Sequence, residues 1–291
     1  MKFITLGSII VQYLYPVSLS FACFLQYIFS SYYTIDNNKD KAKRFSSIII
    51  DTITLLICGL FGVIYKNCSN IKISIKVICK GKIGLHFIGL MIITVVAKIF
   101  PFFNNSSINY TLDFLKIVQV GISLLLCTII LNIENYRHHY ISFGFDLLIS
   151  LFMMLIRIYY AGSAFDGTTF WFELFNFFIL YFLFSSMEVY EKYIMQKFFI
   201  PPYFLLFFEG VLQSIVLAIG WIILYLSPKD SIRKEILNYD SMTDNLFYIP
   251  LFVVYLGLNI VRIHTIFIYT PVYRYVADIA VIFLFIYILF F

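Results

Sequence analysis

Five residues with the chemistry to recognise a polar solute stand inside stretches of almost purely apolar sequence: Glu209, Asn259, Arg262, Arg274 and Asp278. Ionisable groups at such positions are costly, so each is a candidate for function, with a helix-joining ion pair as the alternative. Glu209 falls eight residues after Pro201, a residue suited to opening a helix because its missing N–H is not needed there. At helical rise, Glu209 lies roughly 12 Å in from the inner membrane face and Arg262, counted back from the end of its run near 269, roughly 11 Å. The two are therefore expected to pair at one depth. Asn259 shares the Arg262 face at i, i+3, and Arg274 and Asp278 share another at i, i+4. Three consecutive runs thus bring polar groups to a similar level, which points to a polar cavity. Nearer the opposite face, Lys116 and Arg157 sit within about 8 Å of the boundary by the same count. They either snorkel to the headgroups or give a cationic lining suited to a phosphate or carboxylate. Asp51 and Asp146 are further candidates, better read as structural partners.

The elements that must position these groups follow from composition. Of 291 residues, 62% are hydrophobic and only 13% charged, with mean hydropathy +0.91. A soluble domain carries about 25% charged residues, and apolar runs of about 18 or more residues span membranes. The chain reads as an all-α, polytopic transmembrane helical bundle of about nine spans: 8–32, 46–65, 84–103, 112–132, 140–161, 169–190, 201–226, 246–269 and 271–291. Five spans form an N-terminal half, residues 1–165, and four a C-terminal half, residues 166–291. Only helices are open to such a chain, because lipid offers its backbone no hydrogen-bond partners. The 3–33 run is too long for a cleaved leader and lacks a small-residue cleavage site, so it reads as the first span. Lys66, Lys72, Lys76, Lys80, Lys82, Arg137, Lys192, Lys197 and Arg274 place the N-terminus inside, while the basic 34–45 and 227–245 connectors argue the other way. Glu188, Glu191, Lys192 and Lys197 read as a solvated inner connector, with Glu188 and Lys192 at i, i+4 pairing distance.

Other functional classes have little to stand on. The net charge of +5 is scattered over connectors with no basic, aromatic-interleaved stripe, which excludes a nucleic-acid partner. The five cysteines show no C-x-x-C spacing. His138 and His139 are adjacent and point to different sides of a helix, which disfavours a shared metal. Asn104, Asn105 and Asn109 begin N-x-[ST] sequons in a loop too close to the membrane for ready glycosylation. There is no Gly-rich phosphate loop, H-E-x-x-H or G-x-S-x-G. No enzyme, cofactor or metal is expected.

Two stretches resemble the drug/metabolite transporter superfamily, specifically its nucleotide-sugar-transporter-like solute carriers. In the first, Glu191-Lys192, Lys197, Pro201-Pro202 and Glu209-Gly210 are similar to a Glu-Lys-rich sixth-span tail, a proline turn and a Glu-Gly pair in the seventh span. In the second, residues 259–278, Asn259, Thr265, Arg274 and Asp278 match the eighth-to-ninth-span passage. A looser likeness over 115–140 puts Lys116 where relatives often have arginine. The likeness covers about 110–280. Gln213 replaces a second glycine, Val281 stands where a basic residue is usual, and the chain ends at Phe291.

The resemblance implies two inverted five-helix halves around a central site with alternating access, with the last helix here missing or truncated. It implies a secondary transporter of a small polar, anionic metabolite such as a nucleotide sugar or sugar phosphate. The substrate-binding set would be Glu209, Asn259, Arg262, Thr265, Arg274, Asp278 and Lys116. The partners expected are the lipid bilayer, a small-molecule substrate and, as an option, a second copy of the chain. The location expected is an endomembrane, Golgi or ER, with the plasma membrane as the alternative. A non-transporting scaffold or assembly partner that retains the fold is the rival reading.

Overall fold

The computed structural model describes residues 40–68, 82–103, 116–134, 136–161, 167–226, 245–272 and 274–276. They form seven helices: α1 Asp40–Cys68, α2 Lys82–Phe103, α3 Ile117–Leu131, α4 Arg137–Ala161, α5 Gly167–Phe198, α6 Pro202–Leu226 and α7 Asn245–Ile268. A further helical stretch covers 271–272 and 274–276. Among the described residues there is no strand. The expected first span and most of the ninth, with Asp278, lie outside the described residues.

Among the described residues, four segments are long and apolar enough to cross a membrane: Arg137–Ile156, Phe170–Phe198, Pro202–Ile223 and Ile249–Ile268. Ile48–Ile64, Ile83–Ala97 and Ile117–Leu131 are shorter apolar helices. The outer surface fits the same setting. Along α4, Ile141, Phe145, Leu148, Phe152, Leu155 and Tyr159 are all exposed. An apolar face of that extent is at home against lipid and out of place in water.

Two helix pairs position the polar residues. Helices α1 and α6 run antiparallel in close contact, since Gly62 meets Tyr203, Gly59 meets Phe207 and Gly210 meets Leu56. A Cβ at Gly59 would stand 2.4 Å from the Phe207 backbone. Absent side chains let the backbones approach, which is how membrane helices gain packing contacts without a hydrophobic drive between them. Helices α3 and α5 run parallel. Ser185 Oγ donates to the Gln119 carbonyl at 3.3 Å, and farther along both helices Lys192 lies within electrostatic reach of Cys127.

The structure corrects the reading of the fifth helix. The apolar run expected to stop at 190 continues without a break to Phe198, so Glu188, Glu191 and Lys192 belong to a helix and not to a connector. Glu188 and Glu191 have no exposed surface, and Lys192 is 4% exposed. The helix passes through these charges because partners on other elements neutralise or solvate them. Glu188 pairs with arginines and not with Lys192, whose ammonium donates to the Phe267 carbonyl at 2.5 Å. The turn to α6 is only Phe199–Pro201, with Phe199 at φ 53°. The Pro201 carbonyl then accepts from Phe204 and Leu205 N–H as the next helix begins.

Candidate functional site

The centre of the site is the Arg262 guanidinium, 7% exposed, held among three carboxylates from two helices. Nη1 donates to both oxygens of Glu191, at 2.8 and 3.1 Å. Nη2 donates to Glu209 Oε2 at 3.2 Å. Glu188 Oε1 stands 3.8 Å from Nη1, too far for a hydrogen bond. Its close partner is Arg274 on the 271–276 stretch. Glu188 and Glu191 reach one arginine because i, i+3 puts them on one face of α5. Lys192, one residue on, is turned away by the helical pitch and reaches the end of α7 instead. The depth match inferred for Glu209 and Arg262 is therefore an ion pair, and it is one part of a larger cage.

A second polar layer, which includes the Asp51 carboxylate, adjoins the cage. Asn259 Nδ2 donates to Asp51 Oδ1 at 2.9 Å and to Thr54 Oγ1 at 3.0 Å. This ties α7 to α1 one helical turn from Arg262. Thr54 passes its own hydroxyl proton to the Asp51 carbonyl at 2.7 Å. Thr52 Oγ1 lies 2.7 Å from the Ile48 carbonyl and 3.1 Å from Gln213 Oε1. A hydroxyl has one proton. With Ile48 taking it, the Gln213 amide serves in its turned orientation, as a donor to Thr52.

The seven residues named from sequence separate into groups. Glu209, Asn259, Arg262 and Arg274 belong to the buried cage and its adjoining layer. Thr265 is buried in the same helix, but its hydroxyl donates to the Val261 carbonyl at 2.8 Å and is engaged within α7. Lys116 caps the start of α3 without a side-chain cap bond. Gln119 meets Ser185, and Lys116 and Glu188 lie one turn away from that level in opposite directions. Their axial separation is roughly 9 Å, which leaves Lys116 outside the cage. Asp278 lies outside the described residues. Asp146 is exposed on α4.

Sequence reasoning missed Glu188 and Glu191 as members of the site. Their i, i+3 spacing was the available signal, hidden by lysines at 192 and 197 that gave the segment the look of a loop. Among the described residues, no group of three or more His, Cys, Asp or Glu side chains is arranged to hold a metal ion. Between α2 and α6, Leu90, Met91, Thr94, Glu209 and Gln213 help line a cavity of about 10 Å³, room for about one water-sized guest.

Compared with protein-family models, with characterised proteins and with solved structures, the chain matches none.

Proposed function

We propose that the chain is a secondary membrane transporter of a small polar, anionic metabolite, working by alternating access in an endomembrane. The observation that carries this reading is the Arg262 cage itself. It joins α5, α6, α7 and the 271–276 stretch through charges removed from solvent. Taking an ion out of water costs several kcal/mol even after relaxation, and well-packed apolar side chains would join the same helices as well or better. Charges kept at such a junction suggest use. An anionic substrate, a sugar phosphate or nucleotide sugar, offers Arg262 and Arg274 the same oxygen geometry as the glutamates. Substrate and carboxylates would then compete for the two guanidiniums. Nine spans in two inverted halves, a tenth helix aside, belong to this proposal. Transport needs no covalent chemistry, so no enzymatic step is assigned.

One observation favours the rival reading, a membrane scaffold that transports nothing. The charges close on one another, and the cavity beside Glu209 is far too small for a metabolite. Uptake into proteoliposomes, with a panel of nucleotide sugars, sugar phosphates and amino acids, separates the two. Saturable uptake of an anionic panel member, abolished by Arg262→Ala, supports the transporter. Folded protein that moves no panel member supports the scaffold.

A further inference from the structure

Glu188 differs from the other two glutamates of the cage in how it is held. Glu191 takes both hydrogen bonds from Arg262 Nη1, and Glu209 takes one from Nη2. Glu188 stands beyond hydrogen-bond distance from Arg262, at 3.8 Å, with no exposed surface. Its close cationic contact is with Arg274. Arg274 is borne on the 271–276 stretch, separated from α7 by a break at Tyr269–Thr270. Its side chain is 17% exposed, more than twice the 8% of Arg262. The carboxylate is thus fixed on a long helix, and the cation that matches it is on a separate segment beyond the break.

We propose that Glu188 is a proton-binding site controlled by Arg274. With Arg274 in place, Glu188 is an ionised partner. When Arg274 turns to an anionic substrate, or moves with the segment that bears it, Glu188 keeps only a share of an arginine already engaged by Glu191. A buried carboxylate in that position takes up a proton from water and becomes a neutral acid, since a bare charge there is far more costly. The balance is one proton gained by one Glu188 oxygen for each Arg274 released, and the proton leaves when Arg274 returns. Charged and titratable neighbours on the packed elements set the field: Asp51 on α1, Glu191 and Lys192 on α5, Glu209 on α6, Arg262 on α7 and Arg274 itself. On the other faces of α5, His86 of α2 bonds Tyr190 at 2.7 Å, and Cys127 of α3 lies toward Lys192. As the coupling step of a transporter, the site rests on the reading above and makes one proton the companion of one substrate anion.

The experiment reads protonation directly. Full-length protein with carbon-13-labelled glutamate is purified in detergent, and the infrared C=O stretch of protonated carboxylic acid is recorded at neutral pH. Wild type is expected to lack a labelled buried band. Arg274→Ala is expected to gain one, equivalent to one carboxyl per chain, and Arg274→Ala with Glu188→Gln to lose it again. Arg274→Gln serves equally if the alanine variant does not fold. No new band in either Arg274 variant, or a band that survives Glu188→Gln, overturns the assignment. The transport assay is a separate arm. Substrate uptake without a band sinks the proton site alone, and a band in a protein that transports nothing sinks the transporter reading alone.

Discussion

Glu191 Oε1 and Oε2 both accept from the same nitrogen of Arg262, across 71 residues of sequence, with the carboxylate fully buried and the arginine nearly so. This two-oxygen contact, with the Glu209 pair beside it, makes Arg262 the residue on which α5, α6 and α7 jointly depend. Arg262→Ala leaves Glu191, Glu209 and Glu188 facing one another around a void. Breaking a buried ion pair by removing one partner costs about 3–5 kcal/mol. Thermal unfolding in detergent should show a fall of that order for Arg262→Ala. Arg262→Lys should recover only part of it, because a point-charge ammonium cannot serve two carboxylates in the guanidinium's fork geometry.

Within the cage, the two direct partners of Arg262 should rank. Glu191 makes two hydrogen bonds at 2.8 and 3.1 Å and is fully buried, whereas Glu209 makes one at 3.2 Å. Glu191→Gln is therefore expected to destabilise more than Glu209→Gln, each by roughly 1–3 kcal/mol. Equal losses in matched unfolding measurements would mean that the cage acts as one charge cluster and not as discrete bonds.

How much of this was legible in the sequence depended on local anchors. Pro201 fixed where α6 begins, and counting 1.5 Å per residue from there brought Glu209 to the level of Arg262. Glu191 had no such anchor. A glutamate beside lysines reads as a solvated tail until a partner on another helix neutralises it, and Arg262 supplies that only through tertiary packing. Asn259 was placed on the right helical face, but its bond to Asp51 spans 208 residues and has no local signature. Thr265 was named through family resemblance, and its hydroxyl turns back onto its own helix, as a threonine within a helix often does.

The α1–α6 contact gives a test of packing independent of charge. A Cβ at Gly59 would come within 2.4 Å of the Phe207 backbone, and one at Gly210 within 2.8 Å of the Leu56 backbone nitrogen. Neither neighbour is a flexible side-chain end, so Gly59→Ala and Gly210→Ala must push the helices apart. Gly144 on α4 is the control, with nothing within 4 Å of its added Cβ. There alanine is expected to be neutral or to stabilise the helix by up to about 1 kcal/mol. Reduced yield and melting temperature for the first two, with Gly144→Ala unaffected, is the expected pattern.

Asn259 holds α7 to α1 with both protons of one amide. Asn259→Ala removes both donors and leaves Asp51 and Thr54 each short of one. The expected loss is about 1–3 kcal/mol. Asn259→Asp should be worse, because it sets a second carboxylate against Asp51 Oδ1. A milder effect for aspartate than for alanine would mean that Asp51 is protonated in the folded protein.

The sharpest discrimination between transporter and scaffold comes from removing the charges in balance. Arg262→Leu with Glu191→Leu and Glu209→Leu takes out the guanidinium together with both of its hydrogen-bonded acceptors. Replacing a complete buried ion group by apolar residues of similar volume is often neutral or stabilising by about 1–4 kcal/mol. Glu188 keeps Arg274 in this variant, so no fully buried carboxylate is stranded. A scaffold would therefore keep its fold, its melting temperature and whatever protein it binds. A transporter would keep the fold and lose uptake entirely, because the competition between carboxylate and substrate for Arg262 is gone. Stable triple-variant protein with undiminished transport would remove the cage from the mechanism. Stability with abolished uptake would show that these charges serve transport and not cohesion.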